Sequence, residues 1–362
     1  MIVYYITSHG FGHTVRSCEI VRHLPAEMPL TLRTVVPEWF LRRELGERPF
    51  TLAPAAFDCG VLGPDSARID LALTVTRAEA LQAQNEARRA EEVAFLKGCG
   101  ARLVVCDVPA FPLRVAREAG VPSILVANFT WAGIYRHLEA FFCDDEALRV
   151  RTDALIAQMQ LDYAQGDLLL ATDMAIPIEA CRKRADVPLV ARRGTPRRAE
   201  LVRALGLDPA RPIFLIYLGR DGIEGLEWER REHLRGFSFI SFSPPARTDG
   251  FIHRVPEDLI SHGDAVASVD GVVAKPGYGI CGECVAGGVP LIYPPRPEFA
   301  EMRAVEALMA RWGGGVAIEE EDFRTLNWRP SLDRLTAFRL EPEMIDCRGG
   351  QVCAEYLREH YR

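Results

Sequence analysis

Residues 272–301 read VVAKPGYGICGECVAGGVPLIYPPRPEFAE, and this stretch decides the fold. It opens on an apolar run ending at Ala274, turns through glycines, continues with helical spacing and returns to an apolar run at 289–293. Such a segment is a strand–helix–strand unit, and the helix carries the chain back so that the two strands run parallel. Gly277, Gly279 and Gly282 stand in G-x-G-x-x-G spacing at the turn, with Tyr278 between the first two. Glycines there let backbone amides face a diphosphate at the N-terminal end of the helix, where the peptide dipoles leave positive charge. Glu283 lies at the start of that helix, and Glu298 and Glu301 follow the next strand. Carboxylates so placed suit hydrogen bonds to ribose or sugar hydroxyls. The same glycines also fit a purely structural turn with solvated glutamates. Cys281 and Cys284 form a C-x-x-C. With no second such pair for zinc, they read as packing thiols rather than redox partners.

Outward from this unit the pattern repeats. Residues 212–217 (PIFLIY), 236–241 (GFSFIS) and 269–274 (VDGVVA) are expected strands, the first leading to Gly219, while 298–312 and 350–361 fit helices. In the first half, 2–7 (IVYYIT), 29–35, 102–106 (RLVVC) and 122–127 (PSILVA) are expected strands. Val15, Cys18, Val21 and Leu24 make one stripe of a helix over 14–24, 109–119 is helical, and 77–97 reads as one long helix. Continuous apolar strands alternating with helices argue an α/β fold with parallel sheets covered on both faces. A Pro-containing basic stretch at 180–198 reads as a linker. The expected division is 1–192, 193–346 and a final helical segment, 347–362, with a ligand cleft between the halves at the carboxyl ends of the strands.

Composition supports this. The 362 residues are 48% hydrophobic and 26% charged, which excludes disordered, collagenous and coiled-coil classes. The length suits two domains. A net charge of −7 argues against a nucleic-acid partner. No apolar run approaches the ~20 residues of a membrane span. The opening MIVYYITSHG lacks a basic n-region and a cleavage site, so it reads as a first strand, not a signal peptide. Ten scattered cysteines then fit reduced thiols in a cytoplasm.

Two further features carry chemistry. SHGFGHTVR, residues 8–16, follows the first strand and opens the first helix. Gly10 and Gly12 allow a tight turn, the helix end offers amides to an anion, and His13 is aimed from the first turn toward the cleft. A packing histidine is the alternative. Asp107 follows the strand RLVVC. It fits either a partner that holds a histidine in one tautomer or a cap for the next helix. The acidic run Cys143–Glu146 reads as a helix start, not a metal site.

These segments resemble the GT-B glycosyltransferases, the group that includes the peptidoglycan GlcNAc transferase and antibiotic glycosyltransferases. The likeness is nearest to the glycosyltransferase-like N-terminal half of plant arabinose kinases. It rests on YYITSHGFGHTVRSCEIVRHL, LVVCDVPAFPLRVAREAGVPSILVANFTW, DVPLVARR and KPGYGICGECVAGGVPLIYPPRPEF, and covers nearly the whole chain. It implies two Rossmann-like domains facing across a cleft, with the last helix crossing back to the first domain. By the same resemblance His13 is a general base and Asp107 orients it. A donor diphosphate lies at Gly277–Gly279 with Gly219 opposite, Glu283 meets the ribose, Glu298 or Glu301 the sugar, and the nucleobase rests near Ile252–Val255. This sequence has Lys275 where many members have His, and RPEFAE where they have Asp-Gln. The implied function is metal-independent, inverting transfer from a nucleotide-diphosphate sugar, UDP-linked by expectation, to an unknown acceptor, with no other cofactor. A sugar-nucleotide-binding module without transfer is the alternative. An NAD-dependent oxidoreductase is a weaker one, because the fingerprint lies in the second domain. The segments 42–75, 129–165 and 220–235, with Phe129, Trp131 and Tyr135, are candidate acceptor walls.

Overall fold

The computed structural model describes residues 1–63, 69–218, 225–245, 248, 250–338 and 345–361. The described strands form two sheets. The first holds β1 (Ile2–Ile6), β2 (Leu30–Arg33), β3 (Thr51–Leu52), β4 (Leu103–Asp107), β5 (Ser123–Ala127), β6 (Leu168–Thr172) and β7 (Lys183–Val187), in the order β3-β2-β1-β4-β5-β6-β7. The second holds β8 (Ile213–Tyr217), β9 (Ser238–Ser241), β10 (Ile252–Arg254), β11 (Gly271–Ala274), β12 (Leu291–Tyr293) and β13 (Gly315–Ala317), in the order β10-β9-β8-β11-β12-β13. Every pairing is parallel.

The central strands are apolar on both faces because helices cover both. Val3 and Tyr5 of β1 pack into one cluster with Val104, Leu125 and Leu169, while Ile2, Tyr4 and Ile6 pack into another with Val105, Ile124 and Leu170. Successive side chains of a strand point to opposite faces, so one apolar run supplies both cores. The second sheet repeats this, with Leu215 and Val272 on one side and Phe214 and Val273 on the other. Each fully buried Leu or Ile contributes about 1.5–3 kcal/mol.

Strand order sets the site. In each sheet the order reverses beside the first strand, between β1 and β4 and between β8 and β11, and a crevice opens there at the carboxyl ends. Register does the rest. Ile6 pairs with Asp107, so the turn after β1 and the aspartate ending β4 emerge side by side.

Three local differences from the sequence reading have physical causes. The single helix expected over 77–97 is two, Leu71–Ala87 and Arg89–Gly98. Arg88 leaves helical geometry at the junction, donates to the Ala56 carbonyl and stacks on Phe57 at 4.2 Å. Nothing in an Ala/Glu-rich pattern marks such a tertiary grip. The stretch 180–198 contains β7, an edge strand whose Lys183, Arg184 and Asp186 are exposed, so its charge reads as a linker. The run LLLAT, β6, is a further strand that the sequence reading passes over. The helix Gly349–His360 packs Cys353, Ala354 and Leu357 into the first sheet's core. Gly349 allows this return: a Cβ there would lie 2.2 Å from the Pro188 carbonyl oxygen.

Candidate active site

The two switch-point crevices share one cleft of about 610 Å³. On the first domain's wall, Gly10 takes the left-handed φ of +77° that the turn after β1 requires. The helix Gly12–Arg22 then starts at Phe11, whose side chain makes no capping hydrogen bond, and His13 lies in its first turn. On the second domain's wall, the helix Tyr278–Gly287 likewise starts at an uncapped, extended Gly277. The two starts nearly touch: a Cβ on Gly279 would lie 3.6 Å from the Gly12 Cα. Two positive helix ends therefore converge on one gap, an electrostatic setting for an anion.

His13 is 12% exposed and its Nδ1 lies 2.8 Å from Asp107 Oδ1. Phe129 meets its ring edge to face at 5.3 Å. Asp107 is fully buried and also receives Arg16 Nη2 at 2.5 Å, Arg16 Nε at 2.9 Å and the Ser17 hydroxyl at 3.0 Å. Burial pushes its carboxyl up, but the charges and hydrogen bonds of Arg16 and His13 outweigh this and hold it at about 2. An ionised aspartate beside a ring nitrogen favours the tautomer whose other nitrogen, Nε2, keeps a lone pair. That arrangement accepts a proton from a hydroxyl group.

The remaining expected residues divide. Gly12, Lys275, Gly277, Tyr278, Gly279, Glu283, Glu298 and Glu301 all line the cleft. Gly219 lies outside the described residues. Ile252 is 3% exposed and packs in the second sheet's core, so its side chain is not part of the wall. Glu283 is bound to His262 Nδ1 at 2.7 Å, and Glu298 to Arg296 Nε at 2.9 Å. Glu301 is buried and receives the amide of Asn128, and burial pushes its carboxyl up. Tyr278 accepts the Val190 N–H at 2.9 Å, and Arg16 lies over its ring at 4.7 Å. Phe129 and Trp131 line the cleft beside Phe11, Trp39 and Ile134. Tyr135 is in the core below and donates to the Gly60 carbonyl.

Sequence reasoning missed Arg16, Asn128, His262 and Arg296, which also line the cleft. Asn128 directly follows β5 as Asp107 ends β4, and the same rule applied to β5 finds it. Arg16 is one helical turn beyond His13, but only the fold reveals it as the buried counter-ion. His262 carries a weak signal, a second Ser-His-Gly at 261–263. Tyr217 packs against its ring at 4.2 Å, and among the described residues the buried His262 Nε2 has no hydrogen-bond partner.

Cys281 and Cys284 are fully buried, and burial pushes Cys281 up to about 12, which suits packing thiols. Asp145 caps the helix Glu146–Tyr163 by accepting the Ala147 N–H. Among the described residues no cluster of three or more His, Cys, Asp or Glu side chains is arranged to hold a metal, and no helix is long and apolar enough to cross a membrane.

No protein-family model matches the chain. L-arabinokinase of Arabidopsis thaliana is 29% identical over 377 residues, covering 99% of this chain and 34% of that protein. The chain thus spans about a third of that curated relative's length. Among solved structures, the glycosyltransferase of kitacinnamycin superposes with a TM-score of 0.67 at 17% identity, covering 100% of this chain and 99% of that one. The calicheamicin glycosyltransferase CalG4 gives 0.61 at 17% identity over 99% and 98%. Os79 from O. sativa, solved with U2F and trichothecene, gives 0.61 at 17% identity over 100% of both.

Proposed function

We propose that this chain, whose two facing parallel-sheet domains have the GT-B fold, is an inverting glycosyltransferase using a nucleotide-diphosphate sugar, UDP-linked by preference. The observation that carries the reading is the pairing of walls: a histidine–aspartate dyad on one side and an uncapped glycine-turn helix on the other. His13 Nε2 takes the proton of the acceptor hydroxyl as its oxygen attacks the anomeric carbon. The new C–O bond forms opposite the bond to the diphosphate, which breaks, so the configuration inverts and the nucleoside diphosphate leaves. Its charge is met by the amides at Gly277–Gly279 and by Lys275. Glu283, held by His262, meets the ribose. Glu298, held by Arg296, is the carboxylate for the donor sugar, because Glu301 is engaged by Asn128. The amides that the two helix ends turn toward the cleft suit the leaving group without a metal, so turnover is expected to persist in EDTA.

A dinucleotide fingerprint follows the first strand of its unit. Here the glycines follow β11, the fourth strand of the second sheet, which disfavours an oxidoreductase. A thermal-shift panel of UDP, dTDP, UDP-glucose, UDP-galactose and NADH, read beside release of UDP from the sugars in EDTA, tests the proposal. Binding at 100 times Kd adds about 2.7 kcal/mol of stability. UDP and one UDP-sugar should raise Tm, and that sugar nucleotide should be turned over. Binding without turnover supports a binding module instead, and stabilisation by NADH alone contradicts both readings.

A further inference from the structure

We propose that Glu301, acting across the cleft through Asn128 and Arg16, determines which ring nitrogen of His13 carries the proton. Two arrangements compete at Nδ1. Asp107 Oδ1 lies 2.8 Å from it and Arg16 Nη2 lies 3.0 Å from it. Arginine only donates, while each ring nitrogen donates or accepts. Either Nδ1–H donates to Asp107 and Nε2 offers its lone pair to the cleft, or Nδ1 accepts from Arg16 and Nε2 carries the proton. Only the first is a base. Which one forms depends on where the guanidinium is aimed.

Its aim is fixed from outside the dyad. Arg16 Nε and Nη2 fork onto Asp107, and Nη1 donates to Asn128 Oδ1 at 2.6 Å. Asn128 presents its oxygen to Arg16 while its amide nitrogen donates to Glu301 Oε1, so the amide is held at both ends. The guanidinium itself calls for the amide oxygen, and Glu301 anchors the other end of the amide, so losing that acceptor frees Asn128 to swing away from Nη1 and release the guanidinium. Tyr278 lies over the same guanidinium. Glu301 and Tyr278 both belong to the second domain, whereas His13, Arg16, Asp107 and Asn128 belong to the first. Asp107 and Asn128 are fully buried, and Arg16 and Glu301 nearly so, which leaves little room for water to replace a lost partner. The dyad is thus set for proton abstraction while the two domains are closed on each other. Arg16, Asn128 and Glu301 are positioning residues in this scheme.

The consequence for turnover rests on His13 being the base, whereas the tautomer itself does not, and the test separates the two. Protein labelled with [15N]histidine is compared as wild type, Glu301→Ala, Asn128→Leu and Glu301→Gln, with His13→Gln used to assign the resonance. Protonated and unprotonated ring nitrogens differ widely in 15N shift. Wild type and Glu301→Gln, which keeps the acceptor oxygen, should show a protonated Nδ1. Glu301→Ala and the nearly isosteric Asn128→Leu should move it toward the unprotonated position. UDP-sugar turnover should fall at least about tenfold in those two, with the Kd for UDP within about threefold. Circular dichroism checks folding, and either of the two variants suffices. A His13 tautomer identical in all four proteins overturns the proposal, as does a wild type protonated at Nε2. A tautomer shift with undiminished turnover leaves the proposal standing and removes His13 as base.

Discussion

Asp107 concentrates more of the site than any other side chain. It is fully buried, its carboxyl is held at about 2, and it binds a buried arginine and the ring of His13. Breaking a buried pair by removing one partner leaves an uncompensated charge. Asp107→Asn should therefore lose roughly 2–4 kcal/mol at neutral pH. The direction with pH follows from linkage. The folded value lies below the ordinary aspartate value, so the stabilisation is complete above about pH 4 and is lost as pH falls toward 2. Urea unfolding of both proteins should show a constant gap from pH 7 to 5 that narrows below 4. A gap indifferent to pH would place the carboxylate's charge outside the stability of the fold. At this scale the sequence was informative only in part. The placement of His13, in the turn after β1, and of Asp107, at the end of β4, was legible because such positions face a crevice. Arg16 was not, because an arginine on an amphipathic helix reads as solvated until the sheet beside it is built.

The decisive elements are the two glycine turns and the helices they open. Gly277 and Gly279 were legible from spacing alone, and so was the strand–helix–strand unit around them. What spacing did not reveal is that Gly279 meets Gly12 from the other domain. A Cβ at Gly279 would make ordinary contact, so alanine is tolerated there, whereas the γ carbons of valine enter the gap. Gly279→Val should keep the circular dichroism of wild type and lose UDP binding by at least about tenfold, since backbone approach to a phosphate is what the glycine permits. Gly279→Ala should bind within a few-fold. Normal titration of UDP into folded Gly279→Val would move the diphosphate elsewhere. Edge strands were the least legible elements. β7 carries its charge outward, and its only neighbour among the described strands is β6.

Over the whole molecule, the same strand order recurs in two sheets, and each reversal of order opens a crevice toward the other. The chain crosses between the domains after β7, through Val190, and returns through Arg348, bridged to Val190, into the helix Gly349–His360. This double crossing keeps the two walls opposed, and Arg16, Asn128 and Glu301 join them at depth. Alternation of apolar runs and helices made the two-domain α/β architecture legible. The closure between the domains was not, because contacts between residues some 170 positions apart leave no local pattern. The central claim is that the first domain's wall supplies the base and the second domain's wall the leaving-group site. The most direct measurement is the initial rate of sugar-nucleotide turnover by His13→Ala beside wild type, using the donor that most raises Tm, with the Kd for UDP measured on both. The account predicts a fall of about 10²–10⁴ in rate with UDP affinity unchanged within about twofold. A His13→Ala enzyme turning over within about threefold of wild type would contradict it.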